Sequence, residues 1–370
     1  PPPPPTGSFA SIVDITKALP MDRLLAESQR GDQGGLSSQR LCVVSGNAHR
    51  RLAEAVAQCL GQPLTPIDVI PHASGEIHIH FSDEACYEVR GASVFVIQPT
   101  CAGADHTDLN TSLLELLFLI RRLKLLGAAS VTAVTPFYAY ARQDRKTDLR
   151  VPLSAAAVSA MLQQVGVSRV ITVDLHCAQI QGCFCDRAPM DNLPFAQSLA
   201  QHIQKKTWFS HDNSVIVSPD AGGVTRARHV ADILNVRRVV TIVKRRGAST
   251  AGGNTAVESM QTVGDVGDLH CIIIDDMCDT GGTLVKAAEL LMSLGARSVT
   301  ACCTHGIMTD PCCERVNASP ALSALVVSNS IDQTNNLRRC AKLEVIPLEG
   351  LLSSVIKALH ADKSLGEFFS

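Results

Sequence analysis

No segment of this sequence offers the uninterrupted apolar run of ~20 residues that a membrane-crossing helix requires. The longest candidate, Leu113–Leu126, is broken by Glu115, Arg121, Arg122 and Lys124, and reads as an amphipathic or buried helix. An excess of either charge is also missing: 33 lysines and arginines stand against 35 aspartates and glutamates. A chain so balanced has no electrostatic reason to take nucleic acid or an anionic membrane as its main partner, and any anion it binds must be held by local sites. The 14 cysteines include no pair at C-x-x-C spacing; most fall inside apolar runs or as the neighbours Cys302-Cys303 and Cys312-Cys313. Disulfide frameworks belong to small secreted domains, so reduced, buried thiols in a reducing compartment, the cytoplasm, are expected here rather than bridges or zinc. Pro1–Pro5 is not a charged region leading into an apolar stretch, and no signal peptide is expected.

What is present is core material on the scale of two domains: 370 residues, 46% of them hydrophobic and 18% charged. Residues 1–40, with a proline run and then Gly31, Gly34, Gly35, Ser37 and Ser38, read as a poorly ordered extension with one short helix around Met21–Gln29. From Leu41 onward, short β-branched runs alternate with helical stretches. The runs are Leu41–Ser45, Val94–Gln98, Val131–Thr135, Val170–Asp174, Val215–Ser218, Val239–Val243, Cys271–Asp275, Val299–Cys303 and Leu325–Ser328. Between several of them lie helix patterns closed by glycine, the usual left-handed cap: His49–Leu60 before Gly61, Ser154–Val165 before Gly166, Thr283–Leu294 before Gly295. The alternation predicts an α/β fold of two doubly wound parallel sheets, divided near Asp191–Phe195. The expected division is an extension over 1–40, a first domain over 41–191, a second over 192–350 and a C-terminal helix in 351–370. Chemistry in such sheets gathers at the carboxyl edge of the strands.

The sharpest local signal is Cys271-Ile-Ile-Ile-Asp-Asp-Met-Cys-Asp-Thr-Gly-Gly-Thr283. An apolar strand leads to two carboxylates, and a glycine–threonine loop then opens a helix. Adjacent glycines let backbone N–H groups turn towards a phosphate, and the helix N-terminus adds positive partial charge. Thr280 and Thr283 can donate hydroxyl bonds to the same group. Asp275 and Asp276, as ionised acceptors, suit vicinal ribose hydroxyls.

This loop resembles the phosphoribosyl pyrophosphate loop of type I phosphoribosyltransferases and of ribose-phosphate pyrophosphokinases. Further segments look like the pyrophosphokinase signatures: Thr135-Pro-Phe-Tyr-Ala-Tyr-Ala-Arg-Gln-Asp-Arg-Lys146, Asp174-Leu-His-Cys-Ala-Gln-Ile-Gln-Gly182, Ser218-Pro-Asp-Ala-Gly-Gly223, Val263-Gly-Asp-Val266 and Thr304-His-Gly-Ile307. The resemblance runs from about Leu41 to Phe369. It implies domains of the type I phosphoribosyltransferase kind and transfer of the pyrophosphoryl group of MgATP to ribose 5-phosphate, with AMP leaving. It further implies a homo-oligomer, a hexamer being one candidate assembly, in which a neighbouring subunit completes the ATP site.

The resemblance also implies roles for individual residues. Arg142, Gln143 and Asp144 would form the ATP segment, joined by the hairpin residues His72, Ser74 and Glu76. Lys244 and Arg246 would be catalytic, at the root of a Gly/Ser/Thr-rich lid over 247–255, with His176 beside the ATP phosphates. Asp275, Asp276, Asp279, Thr280, Gly281, Gly282 and Thr283 would hold ribose 5-phosphate. His176, Asp174 and Asp220, with Asp186 and Asp191 as weaker candidates, would surround Mg2+. The hairpin departs from the family pattern. Where the family reads Phe-Ser-Asp-Gly-Glu or close to it, this chain reads His72-Ala-Ser-Gly-Glu76, which alters adenine stacking and amino-group recognition. Two rivals remain at this point: a catalytically silent regulatory subunit, and a phosphoribosyltransferase that consumes the product.

Overall fold

The strands of this computed structural model fall into two main sheets and one small hairpin, and their order decides where a ligand can sit. The structure describes residues 39–103, 108–146, 149–184, 188–246 and 257–369. The expected extension, apart from Gln39 and Arg40, lies outside the described residues, as do Asp186 and the lid stretch 247–255.

The first sheet is wholly parallel, in the order β1 (Leu41–Ser45), β4 (Ser93–Ile97), β5 (Ser130–Val134), β6 (Arg169–Val173), β7 (Met190–Leu193). Strands β1, β4, β5 and β6 are nearly all buried, as expected of sheets covered on both faces. Between β1 and β4 come helix α1 (Arg50–Leu60), the antiparallel hairpin β2 (Ile67–Pro71) and β3 (Ile77–Phe81), and α2 (Asp83–Val89). Helices α3 (Leu109–Leu125) and α4 (Ser154–Gln164) follow β4 and β5. The charges that interrupt α3 are resolved individually. Arg121 and Arg122 are exposed, whereas Glu115 is 3% exposed and accepts bonds from Asn47 N, Asn47 Nδ2 and Gln98 Nε2 at 2.8–3.0 Å. A Cβ on Gly46 would lie 2.4 Å from Gln98 Oε1, so that glycine is what lets the buried amide in.

The second sheet runs β10 (Val257–Val263), β9 (Val239–Arg246), β8 (Ser214–Ser218), β11 (His270–Cys278), β12 (Ser298–Gly306), β13 (Ala324–Ser328), β14 (Leu343–Ile346). All neighbours are parallel except β10 and β9. The chain goes outward from β8 to β9 and β10, then returns to the other side of β8 with β11. The order therefore reverses between β8 and β11, the crevice where open α/β sheets bind ligands. The flanking helices are α5 (Ala196–Gln204), α6 (Val224–Ile233), α7 (Gly282–Ser293), α8 (Cys312–Ala318), α9 (Thr334–Arg339) and α10 (Glu349–His360).

Val43, Ile97 and Ile171 of the first sheet share one buried core with Ile216, Ile272 and Val326 of the second. Residues 39–370 accordingly form one compact unit holding both sheets. The same core takes in Leu52 and Val56 of α1 with Leu352, Val355 and Ile356 of α10, and Lys357 Nζ donates to Cys59 O at 2.8 Å. Helix α10 therefore lies against α1. The expected boundary near Asp191 falls inside β7, the final strand of the first sheet. Gly61, Gly166 and Gly295 have φ of 76°, 97° and 86°, the left-handed caps read from the sequence.

Candidate active site

The carboxyl edges of the two sheets face each other, and the predicted residues of the loops there meet. Strand β11 does not stop at Asp275 as expected but runs on to Cys278, in register with β12 to the pair Cys278–Gly306. Its neighbour β8 pairs with it only as far as Ile273–Val217. Asp275 and Asp276 are thus strand residues at an edge left open by β8. Gly281 then turns the chain with φ 72°, and α7 begins at Gly282. The left-handed requirement sits at Gly281 alone; a Cβ there would also come within 3.0 Å of Cys312 Sγ. Arg315 Nη1 on α8 donates to Thr280 O at 2.8 Å and braces the loop from outside.

From the first sheet, the turn after β6 carries Asp174, in a left-handed conformation at φ 47°, and His176. His176 Nδ1 lies 2.7 Å from Asp276 Oδ2. Thr304 Oγ1 of β12 donates to Asp174 Oδ2. Arg226 of α6 stands between the two carboxylates, its Nε 3.5 Å from Asp174 Oδ2 and Nη1 3.9 Å from Asp276 Oδ1. His305, wholly buried, bonds Val173 O at 3.0 Å and Ser330 Oγ at 2.8 Å, tying β12 to the end of β6. A second tie lies further out: Arg142 Nη1, after β5, reaches Asp279 Oδ2 at 2.9 Å.

These contacts sort the charges. The bond from Asp276 holds the His176 imidazole above its ordinary value, against the effect of partial burial. Burial alone would raise Asp276, but His176 and Arg226 hold it well below the usual carboxylate range. Asp275 is pushed up by burial and then by the charge of Asp276. The sequence reading treated both as ionised acceptors. The structure sets them apart: its neighbours pull Asp276 towards the anion, while burial and the charge of Asp276 push Asp275 towards the neutral acid.

The other predicted residues divide by position. Asp220 closes the turn after β8, its Oδ1 accepting Gly222 N and Gly223 N at 3.0 and 3.1 Å. Lys244 and Arg246 belong to β9, which continues beyond the last β8 pairing, Ser218–Thr241, along the same edge. Gln143 Oε1 accepts from Ser154 Oγ at 2.5 Å at the start of α4, and the charges of Asp144 and Arg142 both act on His176. Asp191 points elsewhere. It stands beside Ile171, three residues before Asp174, and pairs with Arg169 Nη1 at 2.5 Å. At ~3.3 Å per strand residue it lies about 10 Å back from the edge. The His72–Glu76 turn is exposed and closes on itself, His72 N to Glu76 O at 2.8 Å and Ser74 Oγ to Glu76 Oε2 at 2.9 Å. Among the described residues, no three His, Cys, Asp or Glu side chains form a ready metal cage.

Arg226 and Arg315 were not anticipated. A signal for Arg226 existed: a cation in the first turn of a helix opposes the macrodipole, and such a placement implies a specific anionic partner. Arg315 had no comparable signal, because its role depends on α8 packing against a loop 35 residues away.

An α/β protein with a phosphoribosyl loop at a strand-order reversal, facing a second parallel sheet, belongs to the class built on the type I phosphoribosyltransferase fold. Residues 41–166 match the model described as the N-terminal domain of ribose phosphate pyrophosphokinase, and 191–328 match the phosphoribosyl transferase domain. A ribose-phosphate pyrophosphokinase of Clostridium perfringens is 40% identical over 334 residues, covering 90% of this chain and 98% of that one. Ribose-phosphate pyrophosphokinase A of Dictyostelium discoideum is 36% identical over 331 residues, 90% of this chain and 98% of that one. The crystal structure of phosphoribosylpyrophosphate synthetase from Mycobacterium smegmatis superposes with a TM-score of 0.77 at 35% identity, covering 88% of this chain and all of that one. The chain belongs to the ribose-phosphate pyrophosphokinase family.

Proposed function

We infer that this chain transfers the pyrophosphoryl group of ATP to the C1 hydroxyl of ribose 5-phosphate, releasing phosphoribosyl pyrophosphate and AMP. The observation that carries the reading is the meeting of Asp174 and His176 with the Asp275–Thr283 loop, joined by the His176–Asp276 and Arg142–Asp279 contacts. One edge supplies the acceptor's cradle and the other supplies groups for the donor's phosphates.

The 5′-phosphate sits on the backbone of Thr280–Thr283 at the N-terminus of α7, and Asp275 and Asp276 face the ribose hydroxyls. His176, drawn towards its protonated form by Asp276, faces the ATP phosphates. Arg142 matches phosphate geometry and exchanges Asp279 for that ligand. Lys244 and Arg246, beyond the end of β8, neutralise charge developing on the transferred phosphorus. The donor set suits Mg2+ held chiefly by substrate phosphates and water, with Asp220 and Asp174 as the protein's oxygens. When bound, that ion withdraws charge from the β- and γ-phosphates. His72, Ser74 and Glu76 contact adenine in an oligomer, where a neighbouring subunit covers the exposed hairpin. Among the described residues no helix is long and apolar enough to cross a membrane, and the free thiols suit the cytoplasm.

The test is direct. Purified chain supplied with ATP, Mg2+ and ribose 5-phosphate should release AMP, and omission of either of the last two should stop it. Release of ADP would mean ordinary single-phosphoryl transfer and would overturn the reading.

A further inference from the structure

Beneath the phosphate loop lie two thiols for which the proposed reaction has no use. Cys278 ends β11 directly before Asp279, and Cys312 opens α8. Their sulfurs are 3.6 Å apart and both side chains are buried. Strand end, loop and helix meet around this contact. A Cβ on Gly281 would press on Cys312 Sγ at 3.0 Å, and Arg315, one turn along α8, holds Thr280 O. The bond from Cys278 pulls the Cys312 thiol below its ordinary value, while the same bond and burial push Cys278 well above. One sulfur of the pair is therefore the better nucleophile. Cys302 and Cys303 are just as buried as Cys312, and desolvation pushes both of their thiols up.

We propose that Cys278 and Cys312 form an oxidisable dithiol, a modification site for hydroperoxides, whose closure to a disulfide disables the phosphate loop. In the first step Cys312 sulfur attacks a peroxide oxygen. The O–O bond breaks, an S–O bond forms, and the departing hydroxide takes the thiol proton as water. In the second step Cys278 sulfur attacks the sulfenic sulfur. The S–S bond forms as the S–O bond breaks, and the second hydroxide leaves as water with the Cys278 proton. Two thiols lose two electrons, and hydrogen peroxide becomes two waters. Bonding draws the sulfurs about 1.5 Å closer. The turn at Gly281 rests on one of them, so it shifts and its N–H groups lose their aim at the phosphate. The functional half of the proposal rests on the reading of this loop as the ribose 5-phosphate site.

The full chain is treated with hydrogen peroxide, its remaining thiols are blocked, and its peptides are mapped by mass. A Cys278–Cys312 linked pair is expected before the other cysteines oxidise. Calorimetric titration with ribose 5-phosphate and with inorganic phosphate should then show affinity at least tenfold weaker, restored by dithiothreitol. Cys312→Ala and, separately, Cys278→Ala should bind equally before and after peroxide; either variant suffices if the other fails to fold. A map without the linked pair, or a linked pair with unchanged affinity, overturns the proposal. A reduced chain that binds neither ligand overturns the assignment of the loop instead, and the peptide map still decides whether the dithiol forms.

Discussion

Around the phosphate loop, Asp276 is 5% exposed, two side chains from different elements hold it, and a third brace comes from Arg315. In the His72–Glu76 hairpin every residue is exposed, and the polar contacts are local ones within the turn. The first region has its geometry imposed by both sheets; the second only by its own two strands. Binding sites gain affinity when their ordering is complete before the ligand arrives. The proposed ribose end is therefore prearranged within one chain, while the proposed adenine end lies exposed, which fits the neighbouring subunit proposed for it.

The sharpest way to break this contrast is at the carboxylates. Asp275→Asn with Asp276→Asn keeps side-chain size but removes the anion that holds His176. Turnover should fall about 10³-fold or more, while weak binding of inorganic phosphate survives in calorimetry. Normal AMP release from that variant would end the claim that the cradle governs chemistry. Lys244→Ala should lower kcat by roughly 10²–10³ and leave the ribose 5-phosphate KM within a few-fold, since the charge acts on the transition state. An unchanged kcat would return Lys244 to an ordinary strand residue. Gly281→Val is a better probe of the loop than Gly282→Val, because the positive φ and the close sulfur are at Gly281. Ribose 5-phosphate affinity should drop about tenfold or more, and binding as tight as the parent's would move the phosphate site elsewhere.

The junction between the sheets gives a smaller effect, in stability. Burial lowers His305 from its ordinary 6.5, so the folded state keeps it neutral where the unfolded chain takes up a proton. Its contribution is complete above pH 6.5 and is lost as pH falls through the folded value. Thermal melts at pH 7.5 and 5.5 should show a larger loss of Tm for the parent than for His305→Asn; parallel losses would clear His305 of this role. The smallest change is expected at the hairpin. Base stacking contributes about 1–3 kcal/mol in enclosed single-strand sites, and an exposed turn recovers only part of that. His72→Phe should lower the ATP KM about threefold, and identical KM values would place His72 away from the base.

The parallel sheets were legible because buried strands announce themselves as β-branched runs. All nine such runs became strands, and three helix ends were marked by glycine. Strands β2, β3, β7, β10 and β14 were not among the runs read. Met190–Leu193 contains Asp and Asn, and Leu343–Ile346 contains Glu344, which is occupied by Lys206 and His202, so their polarity hid them. In the site, Asp275–Thr283, Asp174 and His176 could be found because strand, acid and glycine occur in order along the chain. Asp191 could not be separated from them by sequence, since only the β6–β7 register shows it three residues short of the edge. The push of Asp275 towards the neutral acid was equally out of reach, because it depends on which neighbours surround Asp276.

The packing of α10 against α1 sets a schedule for synthesis. Leu52 and Val56 are made roughly 300 residues before the Leu352–Ile356 face that covers them. At ~5–20 residues per second the intervening stretch takes roughly 15–60 s to make. Through that interval the nascent first sheet carries an uncovered greasy seam that holdase chaperones can occupy. A premature stop before Glu349 would remove the face that covers Leu52 and Val56 and leave that seam open.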